Sequence, residues 1–209
     1  MPLSSAPSGI CRSTSNSGEP DVAEYDTYDI EDIRKLVDGE LPWGAVQQIM
    51  KNAKDRDRFD KWVSILQGRV PWKDKILLPL TPALYIVQKP GERVVKCRCG
   101  HEFGDYRVNW KLSALIHVRD TDEKISEVYR GFQKPDLAWM QLREYYCPGC
   151  GSQLEVEAVA RGCPPDFEFL PDLDTFYRDW LGQPLPESNL CSERNNSANA
   201  SGGSMASIS

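Results

Sequence analysis

Four of the seven cysteines in this chain stand in two close pairs, Cys97 with Cys99 and Cys147 with Cys150. Each pair lies in a glycine-containing turn sequence, Lys96-Cys97-Arg98-Cys99-Gly100-His101 and Tyr146-Cys147-Pro148-Gly149-Cys150-Gly151. Four thiolates on one small tetrahedron suit Zn²⁺, whose sulfur ligands sit at about 2.3 Å. Any fold that makes such a site must bring these two distant turns together. Residues two apart on a strand share a face, so Cys97 and Cys99 are expected to leave a strand end on one side. Gly100 lets the chain turn without a Cβ clash. Pro148-Gly149 is a strong turn dipeptide that folds Cys150 back toward Cys147.

The expected metal ligands are therefore Cys97, Cys99, Cys147 and Cys150. His101 is a substitute for one thiolate, against the plainer reading of a surface or supporting histidine. The plainer reading of the quartet is free or disulfide-bonded thiols. A rubredoxin-like iron site is a further alternative, but such sites usually use two CxxC loops, and the CxC half speaks against one. Four thiolates leave zinc no open coordination position, so the site is expected to be structural. Cys11, Cys163 and Cys191 lie outside the quartet and read as incidental thiols.

The chain of 209 residues is 40% hydrophobic and carries six tryptophans, enough for one core with tails. No run approaches the roughly 18 apolar residues of a membrane span. There is no charged start followed by an apolar stretch, as in a secretory signal. These features give the expectation of a cytoplasmic protein that uses its paired cysteines for metal rather than for disulfides. The formal net charge of −6 argues against nucleic acid as a partner, with Arg93, Lys96 and Arg98 making one small basic cluster.

Residues 1–28 read as a disordered extension that turns acidic from Glu19, and residues 188–209 as a disordered Ser/Asn-rich tail. Residues 29–70 read as helical. Asp29 caps a helix with Ile30, Ile33, Leu36 and Val37 on one face, and Gly39 ends it. Pro42 starts a second helix that points Val46 and Met50 inward. Phe59, Trp62, Val63 and Leu66 mark a third, stopped by Gly68. Residues 71–187 read as a zinc-binding α+β domain. Ile76–Leu80 is a short apolar run. Leu84–Val87 and Val94–Val95 form a hairpin turning at Pro90-Gly91, and the second strand delivers Cys97 and Cys99. Part of residues 105–119 is expected as strand. Thr121 caps a short helix with Ile125, Val128 and Tyr129 on one side. Leu142–Tyr146 leads into the second cysteine turn. Leu154, Val156 and Ala158 alternate with Glu155 and Glu157, the pattern of a strand with a wet glutamate face. Asp172 or Asp174 caps a last helix with Leu173, Phe176, Tyr177, Trp180 and Leu181 as its apolar stripe. The expected fold class is thus α+β, with N-terminal helices, a small antiparallel sheet carrying a zinc-ribbon-like four-cysteine site, and a C-terminal helix.

No catalytic set emerges. The chain has two histidines, His101 and His117, and no phosphate-cradling glycine loop, GxSxG or HExxH. Trp43, Trp72, Trp110 and Trp139 sit near expected element ends, where they read either as interface anchors or as core.

Several ordered blocks carry a resemblance. They are Gly68-Arg69-Val70-Pro71-Trp72-Lys73-Asp74-Lys75-Ile76, the first cysteine turn, Asn109-Trp110-Lys111-Leu112-Ser113-Ala114 and His117-Val118-Arg119-Asp120-Thr121. Arg143-Glu144-Tyr145-Tyr146 with the second cysteine turn, and Phe176-Tyr177-Arg178-Asp179-Trp180-Leu181-Gly182, complete the set. From about residue 29 to residue 187 the chain resembles the small, gamma, subunit of acetone carboxylase and of related ATP-dependent ketone carboxylases such as acetophenone carboxylase. The resemblance implies a cytoplasmic bacterial ligase complex that forms a β-keto acid from a ketone and bicarbonate. It implies two larger partner subunits, similar to hydantoinase and oxoprolinase, in a doubled heterotrimer. ATP and a catalytic divalent metal would belong to those partners, and this chain would hold structural zinc on Cys97, Cys99, Cys147 and Cys150 without catalytic residues of its own. The Ser-rich ends depart from the compact family pattern. The alternative from another class is a free-standing zinc-ribbon module for protein interaction or nucleic-acid binding.

Overall fold

The computed structural model describes residues 28–186, apart from 53, 54 and 132. The disordered-tail expectations fall almost wholly outside that range, as do Cys11 and Cys191. Three short helices come first, α1 (Ile30–Asp38), α2 (Trp43–Lys51) and α3 (Arg58–Gln67). Asp29 caps α1 as expected, its side chain accepting from the backbone N–H of Glu31 and Asp32. Gly39 ends it at φ 72°, a left-handed cap that other residues adopt at a cost. In α2 the buried residue is Ile49, while Met50 is 73% exposed. The inward face therefore runs through half-buried Val46 to Ile49, three residues on, and the expected inward Met50 is corrected.

Two antiparallel sheets follow, where the sequence pattern predicts one. Sheet A is a four-stranded meander of β1 (Lys75–Thr81), β2 (Leu84–Lys89), β3 (Glu92–Cys97) and β4 (Glu102–Asp105). Sheet B is a three-stranded meander of β5 (Leu115–Arg119), β6 (Met140–Tyr146) and β7 (Gln153–Ala160). A 3₁₀ turn, Trp110–Ser113, links the sheets, and α4 (Asp122–Ser126) sits between β5 and β6. Thr121 caps α4 by accepting from Lys124 N–H. Ile125 is fully buried there, but Val128 and Tyr129 are exposed, so the expected three-residue face shrinks to one residue.

Sheet A is covered on both faces, which explains its nearly continuous apolar strands. On one side Ile76, Tyr85, Val87 and Val94 pack with Leu66 of α3, joined by Val37, Trp62 and Val63. On the other, Leu77, Leu84, Ile86, Val95 and Cys97 share a core with Trp110, Tyr145, Cys147, Leu154, Leu173 and Tyr177. The alternation along β2 and β3 thus points Cys97 toward sheet B.

The C-terminal segment begins with one α turn, α5 (Leu173–Thr175), capped by Asp172, and continues as a π turn, Phe176–Trp180. Tyr177 Oη donates to Leu77 O at 2.8 Å, which pins this turn to β1. Burial pushes the Tyr177 phenol up to about 12. The wider π turn carries Trp180 off the expected apolar stripe, leaving it 78% exposed.

The glutamate face of β7 is inverted relative to expectation. Glu157 is only 9% exposed, while Val156 and Ala158 are exposed. A bulge causes this. Tyr145 pairs with Glu155 and Tyr146 with Gln153, which leaves Leu154 as an extra residue and reverses the alternation beyond it. The buried glutamate is matched by a buried lysine. Lys111 Nζ lies 2.8 Å from Glu155, 3.0 Å from Glu157 and 3.3 Å from Glu168.

Candidate metal centre

The two cysteine turns are the tips of two hairpins, one from each sheet. In sheet A, β3 ends at Cys97, and the turn to β4 holds Cys99. Cys97 N–H donates to His101 O and Gly100 N–H to Cys97 O, both at 2.8 Å. Gly100 takes φ 103° to close this turn, which excludes a side chain there. Cys99 thus reaches the site from the turn itself, one step beyond the strand end on which both cysteines were expected. In sheet B, β6 ends just before Cys147, whose N–H donates to Ser152 O at 2.9 Å. Gly151 N–H donates to Cys147 O at 2.8 Å.

The four sulfurs of Cys97, Cys99, Cys147 and Cys150 converge, all within 4.8 Å of one another. The sulfurs of Cys97 and Cys150 are 3.8 Å apart, and those of Cys99 and Cys147 are 3.7 Å apart. A tetrahedron with 2.3 Å arms has edges of about 3.8 Å. These separations are far beyond the roughly 2.05 Å of a disulfide, and all four cysteines are free. The group could hold a metal ion, and the donor set is that of a closed, soft-ligand site.

His101 is not part of this convergent set. Its ring meets Phe103 edge-on at 5.0 Å, beside the site. Gly149 of the second turn packs against it so closely that a Cβ at residue 149 would fall 2.9 Å from His101 Cβ and 3.3 Å from Cys99 Sγ. The backbone of the second turn at Gly149 is therefore packed directly on the His101 and Cys99 side chains of the first. His117, the other histidine, is exposed on β5 opposite Glu144.

The environment divides the thiols. Cys97 and Cys147 are 0% exposed, and burial pushes both thiols up. Cys99 and Cys150 are exposed. Hydrogen bonding to Ser152 pulls the Cys150 thiol down to about 6. Two buried thiols that resist ionisation need a nearby cation to become thiolates, which couples metal binding to proton release.

Other groups hold the hairpins in place. Trp72 Nε1 is shared between Cys97 O and Arg98 O, each at 3.2 Å. Lys96 Nζ, 5.2 Å above the Trp72 ring, contacts Asp74 at 2.6 Å and Glu102 at 3.0 Å. Burial opposes its charge, yet the two carboxylates raise its pKa. Sequence reasoning singled out Trp72 within a motif block but assigned it no bracing role. Ser152 carries no signal in the sequence, and nothing there joins Lys111, named only within a motif block, to Glu155 and Glu157, expected on a wet face. Glu155, Glu157 and Glu168 are the second convergent group of possible metal ligands. The Lys111 ammonium already occupies the position a cation would take there.

A family model described as acetone carboxylase gamma subunit matches residues 70–181, more than half the chain, and that span contains all four cysteines. This chain belongs to the acetone carboxylase gamma subunit family. It is 46% identical over 162 residues to the acetone carboxylase gamma subunit of Xanthobacter autotrophicus, covering 77% of this chain and 96% of that relative. It is 32% identical over 79 residues to the acetophenone carboxylase beta subunit of Aromatoleum aromaticum, covering 37% of this chain and 61% of that one. The gamma-family span begins after α3 and runs through both sheets into the C-terminal π turn. Among the described residues, no helix is long and apolar enough to cross a membrane.

Proposed function

We propose that this chain is the zinc-holding small subunit of an ATP-dependent ketone carboxylase complex, which joins a ketone to bicarbonate and yields a β-keto acid. Membership of the gamma subunit family carries the reading, supported by relatives named as subunits of acetone and acetophenone carboxylases. Two larger hydantoinase- or oxoprolinase-like subunits supply the ATP site and the catalytic divalent metal, in a doubled heterotrimer in the cytoplasm. This chain contributes no catalytic residue. Neither nucleic acid nor membrane is among its partners.

Cys97, Cys99, Cys147 and Cys150 hold the zinc. A metal with four thiolates has no open position, so when bound it supplies a cross-link between hairpin tips rather than a Lewis-acid surface. The sulfur separations support this role. His101 packs behind the site and replaces no thiolate. In this reading residues 29–70 form a helical segment, and residues 71–187 form the zinc-binding α+β domain.

The test is co-expression of the full chain with its two large subunits, followed by size-exclusion chromatography. Co-migration of all three, with ATP- and bicarbonate-dependent consumption of a ketone, is the expected result. A chain that never co-migrates and elutes alone with its metal would overturn the reading in favour of a free-standing zinc-ribbon module.

A further inference from the structure

The four sulfurs are not equivalent in access. Cys97 and Cys147 are shut in the core, so a competing ligand reaches the centre from the exposed side of Cys99 and Cys150. On that side one side-chain hydrogen bond crosses from the first turn to the second. Arg98 Nη2 donates to Ser152 Oγ at 3.2 Å. Ser152 Oγ also lies 3.2 Å from Cys150 Sγ.

The bonding sense is consistent with a metal-bound sulfur. A thiol at Cys150 donates to Ser152 Oγ. A thiolate has no proton to give, so the serine hydroxyl donates to the sulfur, and its lone pairs remain available to the guanidinium. Both ends of this bridge are anchored. Arg98 N–H donates to Ala83 O at 2.8 Å, and Arg98 O accepts from Trp72 Nε1. Ser152 O accepts from Cys147 N–H. The bridge therefore spans two anchored backbones, one from each sheet, and touches the exposed ligand Cys150 through Ser152.

We infer that Arg98 and Ser152 form a clamp across the two turns that positions Cys150 and slows escape of the metal from its exposed side. The inference rests on the reading that the four sulfurs hold zinc. Partners that orient a metal ligand typically change metal affinity by about 10–100-fold. Arg98 and Ser152 act through the ligand, as positioning residues.

The experiment measures zinc transfer from the full-length chain to a coloured chelator over time. It compares the unmodified chain with Arg98→Ala, Ser152→Ala and the double variant. Arg93→Ala serves as the control, because Arg93 bonds to Gln88 on the same hairpin, away from the sulfurs. Each single variant is expected to release zinc roughly 10-fold faster. The double variant is expected to release it no faster than Ser152→Ala, because loss of the serine already breaks both links of the bridge. The charge-transfer band of the cobalt-loaded chain should shift in all three and stay put in Arg93→Ala. Wild-type release rates in the singles, multiplying effects in the double, or equal acceleration by Arg93→Ala would each overturn the clamp. Ser152→Ala removes a single oxygen and decides the matter if Arg98→Ala fails to fold. If the unmodified chain takes up no zinc, the zinc reading itself is what fails.

Discussion

Sheet A and sheet B lie side by side in one core, yet they are held in different ways. Sheet A buries Ile76, Leu77, Leu84, Ile86, Val87, Val94 and Val95, with apolar cover on both faces. Sheet B buries Arg143, Glu144 and Glu157 alongside Leu142, Tyr145 and Leu154, and its inner face rests on the Lys111 ammonium. Area burial dominates sheet A, where Lys96, paired with Asp74 and Glu102, is the buried charge. Sheet B depends on matched charges, and its hairpin tip meets that of sheet A at the converging cysteines. A metal bound by the converging cysteines would therefore matter more to sheet B, whose buried surface is the more polar.

The largest effect should follow from breaking the cross-link. Structural zinc contributes on the order of 10 kcal/mol of binding free energy in small zinc domains. Cys147→Ser should therefore strip amide-exchange protection from β5, β6 and β7 while β2 and β3 keep theirs. Equal loss in both sheets would erase the comparison.

Next comes the charge cluster. Lys111→Ala leaves three converging carboxylates without their cation and should cost about 3–5 kcal/mol, read as a lowered denaturation midpoint. Ile86→Ala in sheet A should cost about 2–5 kcal/mol by cavity formation. The two differ in kind: salt and pH should modulate the first and leave the second unchanged. A Lys111→Ala cost below about 1 kcal/mol would show that the cluster is merely tolerated.

The pH dependence has a definite sign. Arg119 beside Glu144 lowers that carboxyl's pKa, against the effect of burial. Burial would raise Glu157, but Tyr145 and Lys111 outweigh it, and its pKa is lowered. A folded pKa below the unfolded value gives stability that is fully present above about pH 4.3 and is lost as pH falls through the folded value. Sheet B should therefore loosen before sheet A on acidification below about pH 4.3, seen as early loss of its amide protection. Simultaneous loss in both sheets would mean that Glu102 of sheet A, which Lys89 and Lys96 hold below the usual carboxylate range, matters to the fold as much as the buried glutamates of sheet B do.

The smallest effect on the fold is expected at the exposed tryptophans. Trp43→Ala and Trp139→Ala should shift the midpoint by no more than about 0.5 kcal/mol, since neither side chain is buried. They should instead weaken co-purification with the large subunits. A large loss of stability with unchanged association would assign them to the fold.

The local signals were legible where the physics is local. Asp29 and Thr121 cap helices through their side-chain oxygens, and Gly39 stops one because, without a Cβ, it takes the left-handed conformation. The β2–β3 hairpin and its turn at Pro90-Gly91 follow from alternation and turn chemistry. The convergence of the four sulfurs was legible from spacing, because few other structures need cysteines in that pattern. Tertiary choices were not legible. Nothing local in β7 marks the bulge at Leu154, and it is distant groups, Lys111 with Tyr145, that make Glu157 acceptable on the inner face. The π turn likewise depends on Tyr177 reaching Leu77 O across the core. Ile49 replaces Met50 because the packing of α2 selects among two adjacent apolar residues that the sequence pattern treats alike.

In the proposed function the converging sulfurs hold one structural zinc. Native mass spectrometry of the purified full-length chain, with metal analysis of the same sample, tests it most directly. About one zinc per chain is expected, retained in the unmodified protein and absent from Cys147→Ser. A folded chain that keeps sheet B protected with all four thiols metal-free, or that binds zinc equally well without Cys147, would contradict it.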